Sequence, residues 1–242
     1  AGLQPPHLGA MCVWEGYADR YRDATHNGGI LSTFARNFQG RQVFRVQYGV
    51  GENGPRNPVT GELVGGSETL PEEELVKSRG DLWGDVQRNP FDGPYYRDRS
   101  ADWDKITTPL LSAGNWGGHG LHLRGNTEGF VRAASEQKWL EIHGQAHWTH
   151  FYTNYGIALQ KKFLAHFLKG EDNGWDRQPP VQLNIRHPGE KFVLRHENEW
   201  PIARTNWTKY YLQPQSGGFG PAEPQETTTR TFEALGDGLK FM

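Results

Sequence analysis

Between residues 101 and 170 the sequence runs twice through an apolar strand, a glycine-bearing loop and an amphipathic helix, and few folds accommodate that order. Thr107-Thr108-Pro109-Leu110-Leu111-Ser112-Ala113 reads as a short buried strand, followed by the loop Gly114-Asn115-Trp116-Gly117-Gly118. The spacing then predicts a helix capped by Asn126, with Phe130, Val131 and Ala134 facing inward. Trp139-Leu140-Glu141-Ile142 is the second strand, closed by Gly144. The second helix is expected to start at a capping Asn154, to carry an inner stripe of Ile157, Leu164, Phe167 and Leu168, and to end at Gly170. Strand, loop and helix in alternation give parallel βα units and hence an α/β protein. A third strand is expected within Leu8-Gly9-Ala10-Met11-Cys12-Val13-Trp14 and should lie parallel to the other two.

The flanking regions differ. Residues 20–100 lack periodicity and are rich in glycine, proline and charge, as in Gly51-Glu52-Asn53-Gly54-Pro55, which is the character of an insertion or lid. Within it Pro71-Glu72-Glu73-Glu74 reads as a solvated helix start. Past residue 176 the helical signal ends. Val181, Leu183 and Ile185 alternate with polar residues, Phe192-Val193-Leu194 and Tyr210-Tyr211-Leu212 follow, and Pro188-Gly189 supplies a turn. This is the pattern of an antiparallel β domain. Residues 1–175 are therefore assigned to the α/β part and 176–242 to the start of a β-sandwich.

Composition removes several function classes. A net charge of −2 offers no electrostatic footprint for nucleic acid or anionic membrane. No apolar run approaches the ~20 residues of a bilayer span. The single cysteine, Cys12, excludes a disulfide framework, reads as a packed strand residue, and makes a reducing, cytoplasmic setting the default. The mean hydropathy of −0.77 and the start on Ala1 in place of a methionine fit a piece of a larger protein.

In open α/β sheets the reactive groups lie in loops beyond the carboxyl ends of the strands. Two such loops are visible, one from Gly114 and one from His143 that carries His147. In α/β-hydrolases the triad runs serine, acid, histidine along the chain, and His147 fits the last place. The nucleophile elbow G-x-S-x-G is missing from the sequence: Ser67 lacks the second glycine, and Ser112 sits within a strand. The serine is therefore expected upstream of Ala1.

Together, Leu3-Gln4-Pro5-Pro6-His7-Leu8-Gly9-Ala10, Trp14-Glu15-Gly16 and Asp19-Arg20-Tyr21-Arg22-Asp23 resemble the strand and lid entry of the CocE/NonD hydrolases. That family of α/β-hydrolases includes cocaine esterase, X-Pro dipeptidyl peptidase and acylases. Pro109-Leu110-Leu111-Ser112-Ala113-Gly114-Asn115-Trp116 resembles its acid-bearing strand, and Gly144-Gln145-Ala146-His147 its Gly-x-x-His segment. Phe167-Leu168-Lys169-Gly170 resembles the helix end that leads into the family's jelly roll. The resemblance implies a serine hydrolase acting through an acyl-enzyme on a small ester or amide, with His147 as general base and neither metal nor cofactor. It also exposes a departure. The family places aspartate two or three residues after the Ala-Gly of the acid strand, where this chain has Trp116 and Gly117 and reaches no acid before Glu128.

Other readings of the same residues stay open. His143, His147 and His150 form H-x3-H-x2-H, which on one helix suggests zinc, although Gly144 and the strand before it argue against a helix there. His119 and His122 flank the acid loop and read as polar loop residues. Trp175, Trp200 and Trp207 suggest either a sugar-binding platform on a β module or packing between the two parts.

Overall fold

The structure is a computed structural model and describes residues 2–47, 50–66, 70–118, 121–229 and 231. The strands, in chain order, are β1 (Met11–Trp14), β2 (His26–Asn27), β3 (Ile30–Leu31), β4 (Leu110–Asn115), β5 (Lys138–His143), β6 (Val181–His187), β7 (Lys191–Glu197), β8 (Tyr211–Gln213) and β9 (Gly218–Gly220). The α-helices are α1 (Phe34–Phe38), α2 (Glu72–Ser78), α3 (Leu82–Arg88), α4 (Pro94–Arg97), α5 (Leu123–Arg132), α6 (His147–Tyr152) and α7 (Asn154–Lys169).

Five strands form one mixed sheet in the order β1-β4-β5-β6-β7. β1, β4, β5 and β6 are parallel, with Met11 opposite Leu110, Leu111 opposite Trp139, and Leu140 opposite Val181. The expected parallel arrangement of the first three strands is observed. Every residue of β4 is buried, because helices cover both faces of the sheet's centre. One face packs Leu111 and Trp139 against Leu159 and Phe163 of α7 and against Trp175. Met11, Ile106, Leu110 and Ala133 form a separate cluster. Fully burying a side chain of this size contributes about 1.5–3 kcal/mol.

The helices begin and face differently from the sequence expectation. Asn126 is not a cap. α5 starts a turn earlier, after His122, and Asn126 is buried in mid-helix. Its Oδ1 accepts from Gly16 N at 3.1 Å and its Nδ2 donates to Val13 O and Ser112 Oγ, both at 3.1 Å. Polar residues serve caps and tertiary stitching equally well, so one sequence cannot separate the two. Phe130 is buried as expected, but Val131 and Ala134 are exposed, and Gly125 and Gly129 fill the inner face. A Cβ on Gly125 would collide with Gly16 O, so the close approach of α5 to the end of β1 requires glycine there.

The cap of α7 is Thr153, whose side chain accepts from Gly156 N, and not Asn154 one residue later. Gly170 closes the helix at φ 68°, as read from the sequence. Its inner stripe is Leu159 and Phe163, flanked by partly buried Leu164 and Phe167, whereas Ile157 and Leu168 are exposed.

Residues 20–100 hold α1 to α4 joined by wide helical turns, Tyr21–Thr25 among them. Val86 and Tyr96 are buried here, and Tyr21 stacks on His26 at 4.5 Å. The acids of α2 do more than face water: Glu72 pairs with Arg79, and Glu74 with Lys77 at 2.6 Å. Asp23 anchors the segment to the βα part. Its Oδ2 accepts from Ala18 N and Asp19 N at 2.9 Å, and its Oδ1 takes a 2.8 Å ion pair from Arg124.

The chain does not divide at residue 176. β6 runs parallel to β5, and β7 returns antiparallel to β6 across a three-residue turn in which Gly189 and Glu190 have φ 79° and 54°. Both strands thus extend the central sheet, because β5 presents a hydrogen-bonding edge that Val181 and Leu183 cover. The compact units are residues 1–200 and 201–242, and the second contains the hairpin β8–β9. Among the described residues no helix is long and apolar enough to cross a membrane.

Candidate active site at the carboxyl edge of the sheet

β1, β4 and β5 end side by side, and the loops beyond them carry the polar side chains. At this edge β5 alternates Trp139, Glu141 and His143 on the α7 face with Leu140 and Ile142 on the other. Glu141 and His143 are both fully buried. Their side chains meet, His143 Nδ1 lying 2.8 Å from Glu141 Oε2. On the other side of the ring His143 Nε2 makes a 3.1 Å ion-pair contact with Oε1 of Glu15, the residue that follows β1.

The rest of the cluster closes around this trio. Glu141 Oε1 accepts from Tyr155 OH at 3.2 Å and from Asn184 Nδ2 at 3.0 Å, so both its oxygens are occupied. Trp14 and His150 each stack on the His143 ring at 5.0 Å. Burial by itself would lower the His143 pKa, but the two carboxylates outweigh it and raise it to about 9. His143 is therefore an imidazolium at neutral pH. Burial pushes the Glu141 carboxyl above its usual range, even though His143 and Tyr155 pull the other way. It also lowers the pKa of His150, and the His143 charge adds to that.

The backbone at this edge is strained. Glu15 and Gln145 are non-glycine residues in left-handed conformations, each with φ 62°. Such positions cost on the order of 1–3 kcal/mol and cluster at functional sites. Asn115, at the end of β4, fixes the loop after β5. Its Nδ2 donates to Gly144 O at 2.8 Å and to Gln145 O at 2.7 Å, while its Oδ1 accepts from Gly117 N at 2.6 Å.

His147 follows this clamped loop as the first residue of α6, so its backbone lies just past the carboxyl end of β5. Its side chain lies outside the described part of the structure. The reading that Gly144 precludes a helix here is corrected: the strand ends at His143, Gly144–Ala146 turn the chain, and a helix begins at once. Of the three histidines of the zinc reading, His143 and His150 stack ring on ring at 5.0 Å. Nδ1 of His143 meets Glu141 and its Nε2 lies 3.1 Å from Glu15, and among the described residues, which leave out the His147 side chain, no three His, Cys, Asp or Glu side chains converge to hold a metal ion.

The remaining candidates are placed elsewhere. Trp116 donates its indole N–H to Asn184 O at 2.8 Å and so braces β6. Glu128 lies on the outer face of α5, 4.0 Å from both Arg124 and Arg132. His122 stacks on Tyr17 at 5.1 Å, and His119 lies outside the described residues. Trp175 is fully buried against Trp139 and Phe163, Trp200 is half-buried, and Trp207 is exposed. Cys12 packs beside the core, and burial, aided by Glu141, raises its thiol to about 11, which leaves it protonated.

Two crystal structures of a CocE/NonD family hydrolase from Staphylococcus aureus superpose on this chain with a TM-score of 0.73 and 29% sequence identity. The chain is similar to the CocE/NonD hydrolases. The match covers 91% and 92% of this chain and 35% of the crystallised chains, so the chain spans about a third of the length of those CocE/NonD proteins. No family model matches the sequence. Nor does any curated protein.

The trio Glu15, Glu141 and His143 escaped sequence reasoning. One signal was available for part of it. A glutamate and a histidine two residues apart, inside a strand too apolar to face water, need each other or a third partner. Nothing local marks Glu15, since its burial follows from where the strand ends meet.

Proposed function

We propose that the chain is the histidine-bearing part of a serine hydrolase that cleaves esters or amides through an acyl-enzyme, with the nucleophile carried on residues preceding Ala1. The observation that supports this reading best is the position of His147, at the start of α6 beyond the carboxyl end of β5, directly after a loop that Asn115 of β4 holds through Gly144 and Gln145. Likeness to CocE/NonD hydrolases across 91% of the chain agrees with it. His147 takes the serine proton as the acyl–oxygen bond forms, then returns it to the leaving group. His143 is unsuited to that task, being fully buried and already protonated at neutral pH.

The segment 20–100 serves as the lid. A cleft of about 890 Å3 lies along this segment between Tyr17, Arg20, Phe34 and Tyr95 and reaches Leu3 and Lys105, a size suited to a small ester or amide. In the whole protein the residues from 201 onward contribute to a β-sandwich. In the full-length protein, His147→Ala lowers kcat by up to about 10⁶ and abolishes fluorophosphonate labelling of an upstream serine. The 242-residue chain alone takes no label. Stoichiometric labelling of any serine within the chain refutes the assignment.

A further inference from the structure

The position at which the CocE/NonD resemblance expects the triad aspartate holds Trp116 and Gly117, and a serine hydrolase without its acid loses about 10⁴ in turnover. A carboxylate near the histidine loop is therefore needed, and the acids at this edge can be sorted by what their oxygens already do. Glu141 is saturated by His143, Tyr155 and Asn184. Asp23 is saturated by Ala18, Asp19 and Arg124. Glu128 is on the outer face of α5.

Glu15 differs from all of them. Its side chain is 7% exposed, one oxygen contacts His143, and Oε2 is buried with no hydrogen-bond partner. That oxygen faces the loop after β4: a Cβ on Gly118 would stand 3.6 Å from it. The same loop is held by Asn115 to Gly144 and Gln145, two residues short of His147. Leaving a buried carboxylate oxygen unpaired costs several kcal/mol or neutralises the group. A strained backbone at φ 62° adds to what the fold sustains to keep Glu15 there. His143, gripped from behind by Glu141, meets Oε1 of Glu15 and so fixes the direction of the carboxylate.

We propose that Glu15 is the acid of the triad, supplied from the end of β1 in place of the loop after β4, and that its free oxygen orients His147. The inference rests on the hydrolase reading given above. In the reaction the serine proton passes to His147 as the serine oxygen bonds the acyl carbon. The imidazolium so formed is stabilised by Glu15, and the proton leaves with the departing alcohol or amine as its bond to the acyl carbon breaks. Glu15 acts through His147 and is a positioning residue.

The test uses the full-length protein with an activated aryl ester and compares H147A, E15Q, E15D and E141Q. The expected result is that E15Q lowers kcat by about 10⁴ with KM little changed. It should also shift the acidic limb of the kcat/KM profile to lower pH, because His147 loses its neighbouring charge. E15D, which keeps that charge, retains more activity than E15Q. E141Q removes a carboxylate from the same buried histidine and costs far less turnover. Equal losses in E15Q and E141Q that track the fall in Tm overturn the proposal, since Glu15 would then only support His143. If H147A abolishes activity and E15Q stays within tenfold of wild type, this inference alone fails; if H147A is fully active, the hydrolase reading fails with it. A crystal structure of the wild-type protein decides the matter without variants. A Glu15 oxygen within about 3.2 Å of a His147 ring nitrogen supports the proposal, and a separation too wide for any hydrogen bond overturns it.

Discussion

His143 couples the candidate site to the stability of the fold. Its pKa in the folded chain is about 9, above the value near 6.5 that an exposed histidine has when unfolded. A group raised in this way contributes stability that is complete below the unfolded pKa and is lost as pH climbs through the folded one. Thermal melts should therefore show a Tm that is highest near pH 6 and declines through pH 9, with up to about 3 kcal/mol at stake. Burial raises the Glu141 carboxyl as well, which acts in the same direction at lower pH. His143→Gln should flatten the alkaline limb, since it removes the titrating group and leaves the ring's neighbours in place. A wild-type Tm that holds steady from pH 6 to 10 would mean that the ion trio is not formed. The trio also shows why residue chemistry was half legible in the sequence. Glu141 and His143 share a strand, so period two alone puts them on one face, whereas Glu15 reaches them only because β1 and β5 flank β4.

Elements were more legible than their edges. The alternation of apolar strands and amphipathic helices marked β1, β4, β5, α5 and α7, because runs buried on both faces need a parallel sheet to sit in. Where each helix begins was misread, because Asn, Thr and Ser all satisfy backbone donors and the sequence does not say which one is spent there. α7 allows a direct check. Thr153→Ala removes the side chain that accepts from Gly156 N and should destabilise the chain by about 1 kcal/mol. Asn154→Ala should be neutral or slightly stabilising, since alanine is a better helix former than asparagine and the cap is Thr153. Asn126→Ala should cost more than either, about 1–3 kcal/mol, because it strands Gly16 N and Val13 O in a buried seam. Denaturant melts of the three variants decide the order, and equal costs for Thr153 and Asn154 would contradict the cap.

At the scale of the whole molecule the unexpected feature is how far the sheet runs. The polar alternation of Val181, Leu183 and Ile185 suggested a separate β domain because an antiparallel strand with one wet face has that pattern. β6 instead lies parallel on β5 and only then pairs antiparallel with β7, so the same alternation serves the rim of an α/β sheet. This rim supports the candidate site. Asn184 of β6 holds Glu141 and accepts the Trp116 indole N–H, and Phe192 of β7 packs so close to Gly144 that a Cβ there would collide with its ring. Ending the chain after residue 175 should therefore do more than remove a neighbouring domain. It exposes the β5 edge, removes one of the two donors on Oε1 of buried Glu141 and unpins the loop that leads to His147, with aggregation through the open edge as the expected consequence. Ending it after Trp200 removes only the second compact unit and should leave the five-stranded sheet and the alkaline fall in Tm intact. Gel filtration and pH-dependent melts of the two truncations separate the outcomes. Equal behaviour of both would show that β6 and β7 belong to the β domain after all, and that the edge of the α/β unit is β5.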